Sequence, residues 1–232
     1  MNNKIILQAS NLYKSFGKNL AMTKVLRGLD LSVQAGEFLA IMGPSGCGKS
    51  TLLNLLGLMS YPDQGKIEIG DKLAVEINNA GKKNASETTR RNLRRQEIGF
   101  VFQRFNLLAQ LTGKDNVRIS LKVRGIKDFS TAEHLINKLN LNDCQNRKPS
   151  QMSIGQQQRF AVVRALAHKP AILLADEPTG NLDSQASDEL LNIFQNINRE
   201  HNQTIIMITH SQDAASRADR ILRMRDGIIH KI

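Results

Sequence analysis

The chain has 232 residues, 41% of them hydrophobic, and a formal net charge of +11. This length suffices for one sizeable hydrophobic core, while the longest apolar stretches, such as residues 52–59, are far shorter than the ~20 residues of a membrane-spanning helix. The first ten residues lack the basic and apolar regions of a signal peptide, so we expect a cytoplasmic protein rather than a secreted or integral membrane protein.

The first strongly patterned segment is an apolar strand followed by a glycine-rich loop and a helix. Residues 38–42 are continuously apolar, as in a buried strand, and residues 51–58 are compatible with a helix. Between them lies the pattern Gly-x4-Gly-Lys-Ser, in the strand–loop–helix context that a phosphate-binding loop requires. The loop consists of Gly43, Pro44, Ser45, Gly46, Cys47, Gly48, Lys49, Ser50 and Thr51.

Each part of this phosphate loop has a chemical use in binding a nucleotide. The glycines let the backbone curl so that successive N–H groups point at phosphates, and the helix N-terminus adds partial positive charge. Lys49 is expected to reach the β- and γ-phosphates of ATP, and the Ser50 hydroxyl is expected to bind Mg²⁺. The loop therefore predicts a nucleotide-binding protein, but it does not by itself separate a kinase from an ATPase.

Basic residues are concentrated in two regions of the chain. Residues 78–92 are polar and weakly patterned, which predicts a surface excursion, and a basic cluster at residues 82–95 begins inside it. A second basic cluster lies at residues 217–231. On charge alone three interpretations stay open: a solvated basic face, contact with an anionic membrane surface, and contact with nucleic acid.

The middle of the chain shows helical spacing and few signals of strands. Residues 111–141 therefore predict a helical lobe inserted between the strands of a sheet. Ser153 is a natural N-cap for a helix over residues 154–167, which should end before Pro170. With Gly155 in its first turn, this helix offers a second anion-binding end, although the same pattern also fits a plain capped helix.

A second predicted buried strand ends in two adjacent carboxylates. Residues 171–175 are apolar, and Asp176 and Glu177 follow them directly. Carboxylates at the carboxyl end of a strand beside a phosphate-loop strand point into the phosphate crevice. Asp176 is therefore a candidate Mg²⁺ ligand, and Glu177 is a candidate general base for the attacking water. Without the phosphate loop, the same pair would more often be the acidic start of a helix.

The last predicted elements complete an alternation of strands and helices. Residues 204–209 read as a third apolar strand, and the apolar residues 221–225 and 228–232 flank Asp226-Gly227, which is a strong hairpin signal. Because strands alternate with helical segments along the chain, we expect an α/β protein whose parallel sheet is flanked by helices.

With these elements in place, the sequence resembles the ATP-binding subunits of ABC transporters over nearly its whole length, from residue 5 to residue 232. Five motifs besides the phosphate loop support the resemblance, and they occur in the order that the family shows. They are the aromatic Phe16, the Q-loop Phe102-Gln103, the signature Met152-Ser153-Ile154-Gly155-Gln156, the D-loop Asn181-Leu182-Asp183 and the switch pair Thr209-His210.

The resemblance implies a role for each motif. Phe16 would stack on the adenine of ATP, and Gln103 would bind Mg²⁺ or position the water and would sense the membrane partner. His210 would contact the γ-phosphate and keep the water aligned with Glu177. Asp183 would reach the other protomer, where the signature residues would bind the γ-phosphate. The implied catalytic residues are thus Glu177, His210 and Gln103, and the implied metal ligands are Ser50, Gln103 and Asp176.

The resemblance also implies an architecture. It predicts an α/β fold with a P-loop NTPase core, an antiparallel β subdomain and an inserted α-helical subdomain at roughly residues 104–168, within one ATP-binding domain over residues 1–232. Each ATP would lie between the two chains of a homodimer, so that ATP closes the dimer and hydrolysis opens it. Ile154 departs from the signature, in which a glycine is usual. We expect this change to affect turnover rather than nucleotide binding.

Residues 99–108, 176–183 and 219–227 resemble the group that serves lipoprotein release (LolD-like) and macrolide or peptide export (MacB-like). That group implies a separate transmembrane permease and a peripheral location on the inner face of the cell membrane. One alternative is a soluble ABC-type ATPase on ribosomes or DNA, although a single phosphate loop without long heptad repeats argues against nucleic acid as a partner. A cell-division ATPase of the FtsE kind is the other. A P-loop kinase would leave the signature, Gln103 and His210 unexplained.

Overall fold

The fold is described from a computed structural model, which covers residues 4–17, 22–78 and 80–230. Within these ranges the chain forms two β-sheets flanked by α-helices. The strands are β1 (Ile5–Phe16), β2 (Thr23–Gln34), β3 (Phe38–Met42), β4 (Gln64–Ile69), β5 (Lys72–Ile77), β6 (Ile98–Val101), β7 (Ile172–Asp176), β8 (Thr204–Thr209), β9 (Arg220–Arg225) and β10 (Ile228–His230). The helices are α1 (Lys49–Leu56), α2 (Glu87–Gln96), α3 (Gly113–Val123), α4 (Ser130–Lys138), α5 (Ile154–Leu166), α6 (Ser184–His201) and α7 (Gln212–Ala215).

The smaller sheet is antiparallel and has the strand order β2-β1-β4-β5. Its strands alternate between buried and exposed residues, as in β1, where Leu7, Ala9 and Leu12 are buried. This alternation places one face of the sheet on the core, next to α1, and leaves the other toward solvent. The antiparallel β subdomain implied by the resemblance is therefore present.

The larger sheet carries the functional motifs at one edge. Its order is β10-β9-β3-β8-β7-β6, and the pairs among β9, β3, β8, β7 and β6 are parallel. Since parallel strands end at the same edge, the phosphate loop after β3, the carboxylates at the end of β7 and the segment after β8 meet there. The predicted hairpin is confirmed as β9 and β10, although residues 231–232 lie outside the described ranges.

The helical lobe predicted over residues 111–141 is confirmed as α3 and α4, inserted between β6 and β7. Leu121, Ile136 and Phe160 are buried in the second of the two hydrophobic clusters. Gly113 packs so closely on Phe160 that a Cβ at residue 113 would lie 2.6 Å from its ring. Across the described ranges, none of the helices combines the length and the apolar character needed to cross a membrane.

Residues 78–92, predicted as a surface excursion, run into helix α2, which the sequence did not predict. Ser86 caps α2, and Arg90 in that helix is only 4% exposed. Its Nη2 donates to the carbonyl of Leu58 over 2.6 Å, and its guanidinium lies 4.0 Å from the ring centroid of Tyr61. A polar sequence forms a helix here because Arg90 contacts the segment that follows α1. The periodicity of the sequence does not reveal such tertiary contacts.

Candidate functional site

The phosphate loop is held tightly against the edge of the larger sheet. A Cβ at Gly43 would lie 2.2 Å from the carbonyl oxygen of Met224 in β9, so no other residue fits there. Gly48 has a φ of +104°, which disfavours residues with a side chain. The sequence-predicted residues divide by burial: Cys47, Gly48 and Lys49 are buried, Pro44, Ser45, Gly46 and Ser50 are exposed, and Gly43 and Thr51 are half-buried.

Lys49 is a buried charge whose partners come from its own loop. The residue is 5% exposed, and its Nζ donates to the carbonyls of Gly43 at 2.7 Å and Pro44 at 3.0 Å. These contacts hold the ammonium group inside the curl of the loop, at the N-terminus of α1. The loop therefore concentrates the positive charge of the side chain and of the helix dipole at one point, which suits a phosphate.

Ser50 and Asp176 lie together beside the loop. The Ser50 Oγ donates to Oδ1 of Asp176 over 3.3 Å. Burial raises the pKa of the Asp176 carboxyl, while the Ser50 hydrogen bond and the nearby Lys49 charge oppose that rise. Hydroxyl and carboxylate oxygens are ligands that Mg²⁺ accepts, and Mg²⁺ is commonly held by one or two carboxylates together with phosphates. The described residues contain no group of three or more His, Cys, Asp and Glu side chains that could hold a metal ion.

Glu177 has a strained backbone and a defined partner. Its φ is +42°, which is uncommon for a residue other than glycine and is enriched at active sites. Its N–H donates to the carbonyl of Ile208 in β8 over 3.0 Å, and this contact helps to hold the conformation. Its Oε2 lies 3.2 Å from Nδ1 of His210, so the two sequence-predicted catalytic side chains are brought together.

Gln103, after β6, reaches the same place from the other side. A Cβ at Gly180 would lie 3.2 Å from Nε2 of Gln103 and 3.7 Å from Oε2 of Glu177, so both side chains face the small space above that glycine. The side-chain amide of Asn181 donates to the carbonyl of Gln103 over 2.9 Å. Asn181 thus fixes the segment that carries Gln103, a contact that the sequence did not predict.

The signature residues lie at the start of α5, in a different cleft. Ser153 and Gln156 cap the helix reciprocally, since each side chain accepts from the backbone N–H of the other at 3.2 Å and 3.0 Å. Asp183 caps α6 by accepting from the N–H of Ala186 over 2.8 Å. Both helix starts, including Ile154 and Gly155, line a cleft of about 420 Å³. The signature and D-loop residues therefore form one surface.

The comparisons with known proteins decide which family this site belongs to. A family model described as ABC transporter matches residues 26–180. The chain belongs to the ABC transporter family. It is the ATP-binding and ATP-hydrolysing cassette of that family, as the motif resemblance predicted, and its α/β fold with an antiparallel subdomain is the cassette fold.

Individual relatives cover the chain almost completely. The lipoprotein-releasing system ATP-binding protein LolD 1 of Rhodopseudomonas palustris is 41% identical over 97% of this cassette and 98% of that protein. The macrolide export ATP-binding/permease protein MacB of Syntrophobacter fumaroxidans is 40% identical over 97% of this cassette, which spans only 31% of that longer protein. The solved dimeric, post-hydrolysis structure of the cassette MJ0796 bound to ADP and Pi matches with a TM-score of 0.85 and 33% identity over 97% of both chains.

The unusual signature residue of the cassette has an ordinary backbone. Ile154 is the first residue of α5, and its φ is not positive. Its side chain is 51% exposed, toward the cleft shared with Asp183. An isoleucine is therefore tolerated by the fold, and its effect depends on what the cleft contacts.

A buried glutamine, which the sequence did not single out, connects helix α5 to the loop that follows Glu177. Gln158, in α5, is fully buried, and its Nε2 donates to the carbonyl of Pro178 over 2.9 Å. Pro178 directly follows Glu177, so one hydrogen bond joins the signature helix to the carboxylate loop. A polar residue within an otherwise apolar helical face was the only signal in the sequence.

Proposed function

We propose that this cassette is the energy-coupling subunit of a membrane export complex, in which two copies hydrolyse ATP and drive a separate permease. The observation that carries the proposal is the division of the site. The phosphate loop, Asp176, Glu177 and His210 meet at one sheet edge, whereas the signature and D-loop share a separate cleft. Two copies in a symmetric pair can complete each other's sites. Cassettes solved as dimers support this arrangement.

The chemistry follows from the positions of the side chains. Backbone N–H groups of the loop and Lys49 bind the phosphates of ATP, and Phe16, 52% exposed at the end of β1, stacks on the adenine. Ser50, Asp176 and Gln103 would hold Mg²⁺, which neutralises phosphate charge when bound. Glu177 accepts a proton from the water whose oxygen attacks the γ-phosphorus, as ADP leaves with the bridging oxygen. His210 keeps Glu177 oriented.

The signature glycine supports a partner across the cleft. A Cβ at Gly155 would meet only an ordinary contact, 3.5 Å from the Cβ of Ala186. Because the chain itself leaves room for a side chain there, close approach by a ligand on a second copy is a reason for the glycine. We infer that Ser153, Ile154, Gly155 and Gln156 contact the ATP bound by the other protomer, and that Asp183 contacts its phosphate loop.

Replacing Ile154 by glycine tests this contact. We expect Ile154→Gly to leave the ATP affinity of the single chain unchanged and to raise turnover in the assembled complex, because an exposed branched side chain no longer limits approach to the partner. Gly155→Ala is the matched control: it should fold normally and lose turnover. Calorimetric titration measures the ATP affinity of the single chain, and phosphate release measures the turnover of the complex. An unchanged turnover in Ile154→Gly would count against contact of the signature with the ATP of the other protomer.

A basic cleft on the surface of the cassette is evidence for a docking site for a separate partner protein. It has a volume of about 790 Å³ between the sheet core and the helical lobe, with Phe100 and Phe102 stacked 4.2 Å apart on its wall. Burial and the nearby Arg124 guanidinium lower the pKa of Arg164 to about 10. The arginines that line the cleft are Arg91, Arg94, Arg95, Arg124 and Arg164. Within the described ranges no salt bridge joins these five arginines to a carboxylate; Arg94 donates instead to the carbonyl of Leu58 and Arg164 to that of Phe105. We infer that an acidic segment of the permease docks here.

Reversing two charges in this cleft tests the docking. Arg91 and Arg95 are exposed and line the cleft. We expect Arg91→Glu with Arg95→Glu to abolish recovery of a membrane protein in a pull-down from detergent-solubilised membranes, while ATP affinity stays within about twofold. Lys127→Glu with Arg199→Glu, exposed outside the cleft, is the matched control. Equal recovery by both double variants would remove the cleft from the proposal.

The relatives suggest which membrane process is driven. Proteins named for lipoprotein release and macrolide export are 37–42% identical to the cassette, and we propose an export-type permease and a peripheral location on the inner face of the membrane. Recovery of ribosomes or DNA without any membrane protein in the pull-down would instead favour the soluble alternative. Recovery of cell-division proteins would favour an ATPase of the FtsE kind.

A further inference from the structure

The strand that presents Phe16 is held by a residue from a distant part of the chain. Asp63 lies just before β4, and its Oδ1 accepts from Nζ of Lys14 over 2.9 Å. Its Oδ2 accepts from the backbone N–H of Ser15 over 2.6 Å, and its own N–H donates to the carbonyl of Tyr13 over 2.8 Å. One residue thus makes three contacts with the residues immediately before Phe16.

These contacts fix the aromatic ring as well as the backbone. The Nζ of Lys14, held by Asp63, lies 5.4 Å from the centroid of the Phe16 ring, within range of a cation–π interaction. Phe16 is half exposed at the strand end, and residues 18–21 lie outside the described ranges. The contacts of Asp63 with the residues that precede Phe16 therefore position the aromatic ring.

Asp63 also connects Phe16 to the phosphate loop. The segment 57–63 follows α1, the helix that begins at Lys49, and the N–H of Met59 donates to the carbonyl of Asn54 in that helix over 2.9 Å. Arg90 holds the same segment through the carbonyl of Leu58. The phosphate loop and the aromatic ring are thus tied together through a short, anchored segment that ends at Asp63.

We propose that Asp63 is a positioning residue for adenine binding, which sets the distance between the Phe16 ring and the phosphate loop. The inference rests on the proposed stacking role of Phe16. A side chain that orients Phe16 acts on the base of the nucleotide and leaves the phosphates to the loop. Its removal should therefore weaken ATP but spare a ligand that has phosphates and no base.

The test compares ATP with inorganic tripolyphosphate by calorimetric titration of the full chain. We expect Asp63→Ala to weaken ATP binding about tenfold, the loss of roughly one charge-assisted hydrogen bond, and to change tripolyphosphate binding less than about twofold. Phe16→Ala should behave alike, and the double variant should be no weaker than Phe16→Ala alone. Asp71→Ala is the matched control, since Asp71 is an exposed carboxylate in the turn between β4 and β5 and pairs with Lys4.

Each other outcome overturns a defined part of the inference. Equal losses for ATP and tripolyphosphate, or additive losses in the double variant, would show that Asp63 acts independently of Phe16. Loss of ATP affinity in Phe16→Ala with none in Asp63→Ala would remove Asp63 alone, whereas unchanged affinity in Phe16→Ala would remove the stacking role as well. If Asp63→Ala fails to fold, Asp63→Asn, which keeps one acceptor, should give an intermediate loss specific to ATP.

Discussion

Glu177→Gln is expected to bind ATP, to accumulate as a closed dimer and to lose about 10²–10⁴-fold in turnover, the usual contribution of a positioned general base. The amide keeps the size of the side chain but cannot take a proton from water. Glu177 lies 3.2 Å from His210 and beside the space above Gly180, so its carboxylate is placed to take that proton. Phosphate release measures the turnover, and gel filtration with ATP measures the dimer.

The control for this variant is Glu133→Gln, an exposed carboxylate of α4 whose side chain lies 3.8 Å from Lys114. It should keep normal turnover and show no ATP-dependent dimer beyond that of the natural sequence. If Glu177→Gln retained near-normal turnover, Glu177 would not be the general base. If it lost turnover without forming a dimer with ATP, the result would support Glu177 as the general base but contradict the proposed closure of the dimer by ATP.

Lys49→Ala is expected to lose ATP binding itself, by ~10²-fold or more, since removing one partner of a buried charged contact costs ~2–5 kcal/mol. The same change leaves the carbonyls of Gly43 and Pro44 without their donor, so we also expect a lower melting temperature in the absence of nucleotide. Direct calorimetric titration checks the first effect, and thermal unfolding checks the second.

Two controls separate charge from shape at this position. Lys49→Arg keeps the charge but carries a planar, wider head group, so it should also bind ATP weakly while folding more stably than the alanine variant. Lys127→Ala, an exposed lysine, should change neither ATP affinity nor melting temperature. ATP affinity retained by Lys49→Ala would contradict the assignment of the buried ammonium group to the phosphates.

The parts of this cassette that the sequence predicted are those with local causes. The phosphate loop, the carboxylates after β7 and the Ser153 cap each occupy a few consecutive residues, so spacing alone identifies them. The meeting of these motifs at one place then follows, because the carboxyl ends of parallel strands lie at the same edge of a sheet. Roles that depend on a second chain stay predictions, although the cleft beside Gly155 supports them.

The contacts that the sequence did not predict join residues far apart in the chain. Arg90 binds a carbonyl 32 residues earlier, Asp63 binds an N–H 48 residues earlier, and Asn181 binds a carbonyl 78 residues earlier. A polar residue has the same local pattern whether its partner is water or a distant backbone group. For this reason residues 87–92 fall in the predicted surface excursion rather than in a predicted helix, and the arginines of that region form one undivided basic cluster in the sequence.

The hydrogen bond between Gln158 and Pro178 has a consequence for how two copies would behave. It attaches the loop that carries Glu177 to helix α5, whose first turn would face the neighbouring subunit in the proposed dimer. A displacement of α5 would then also shift the proposed general base of the same chain. In a symmetric pair, the position of Glu177 in each subunit would therefore depend on whether the ATP bound by the other subunit has been hydrolysed. Hydrolysis at one site would then change the rate of hydrolysis at the other, and the two sites would not act independently.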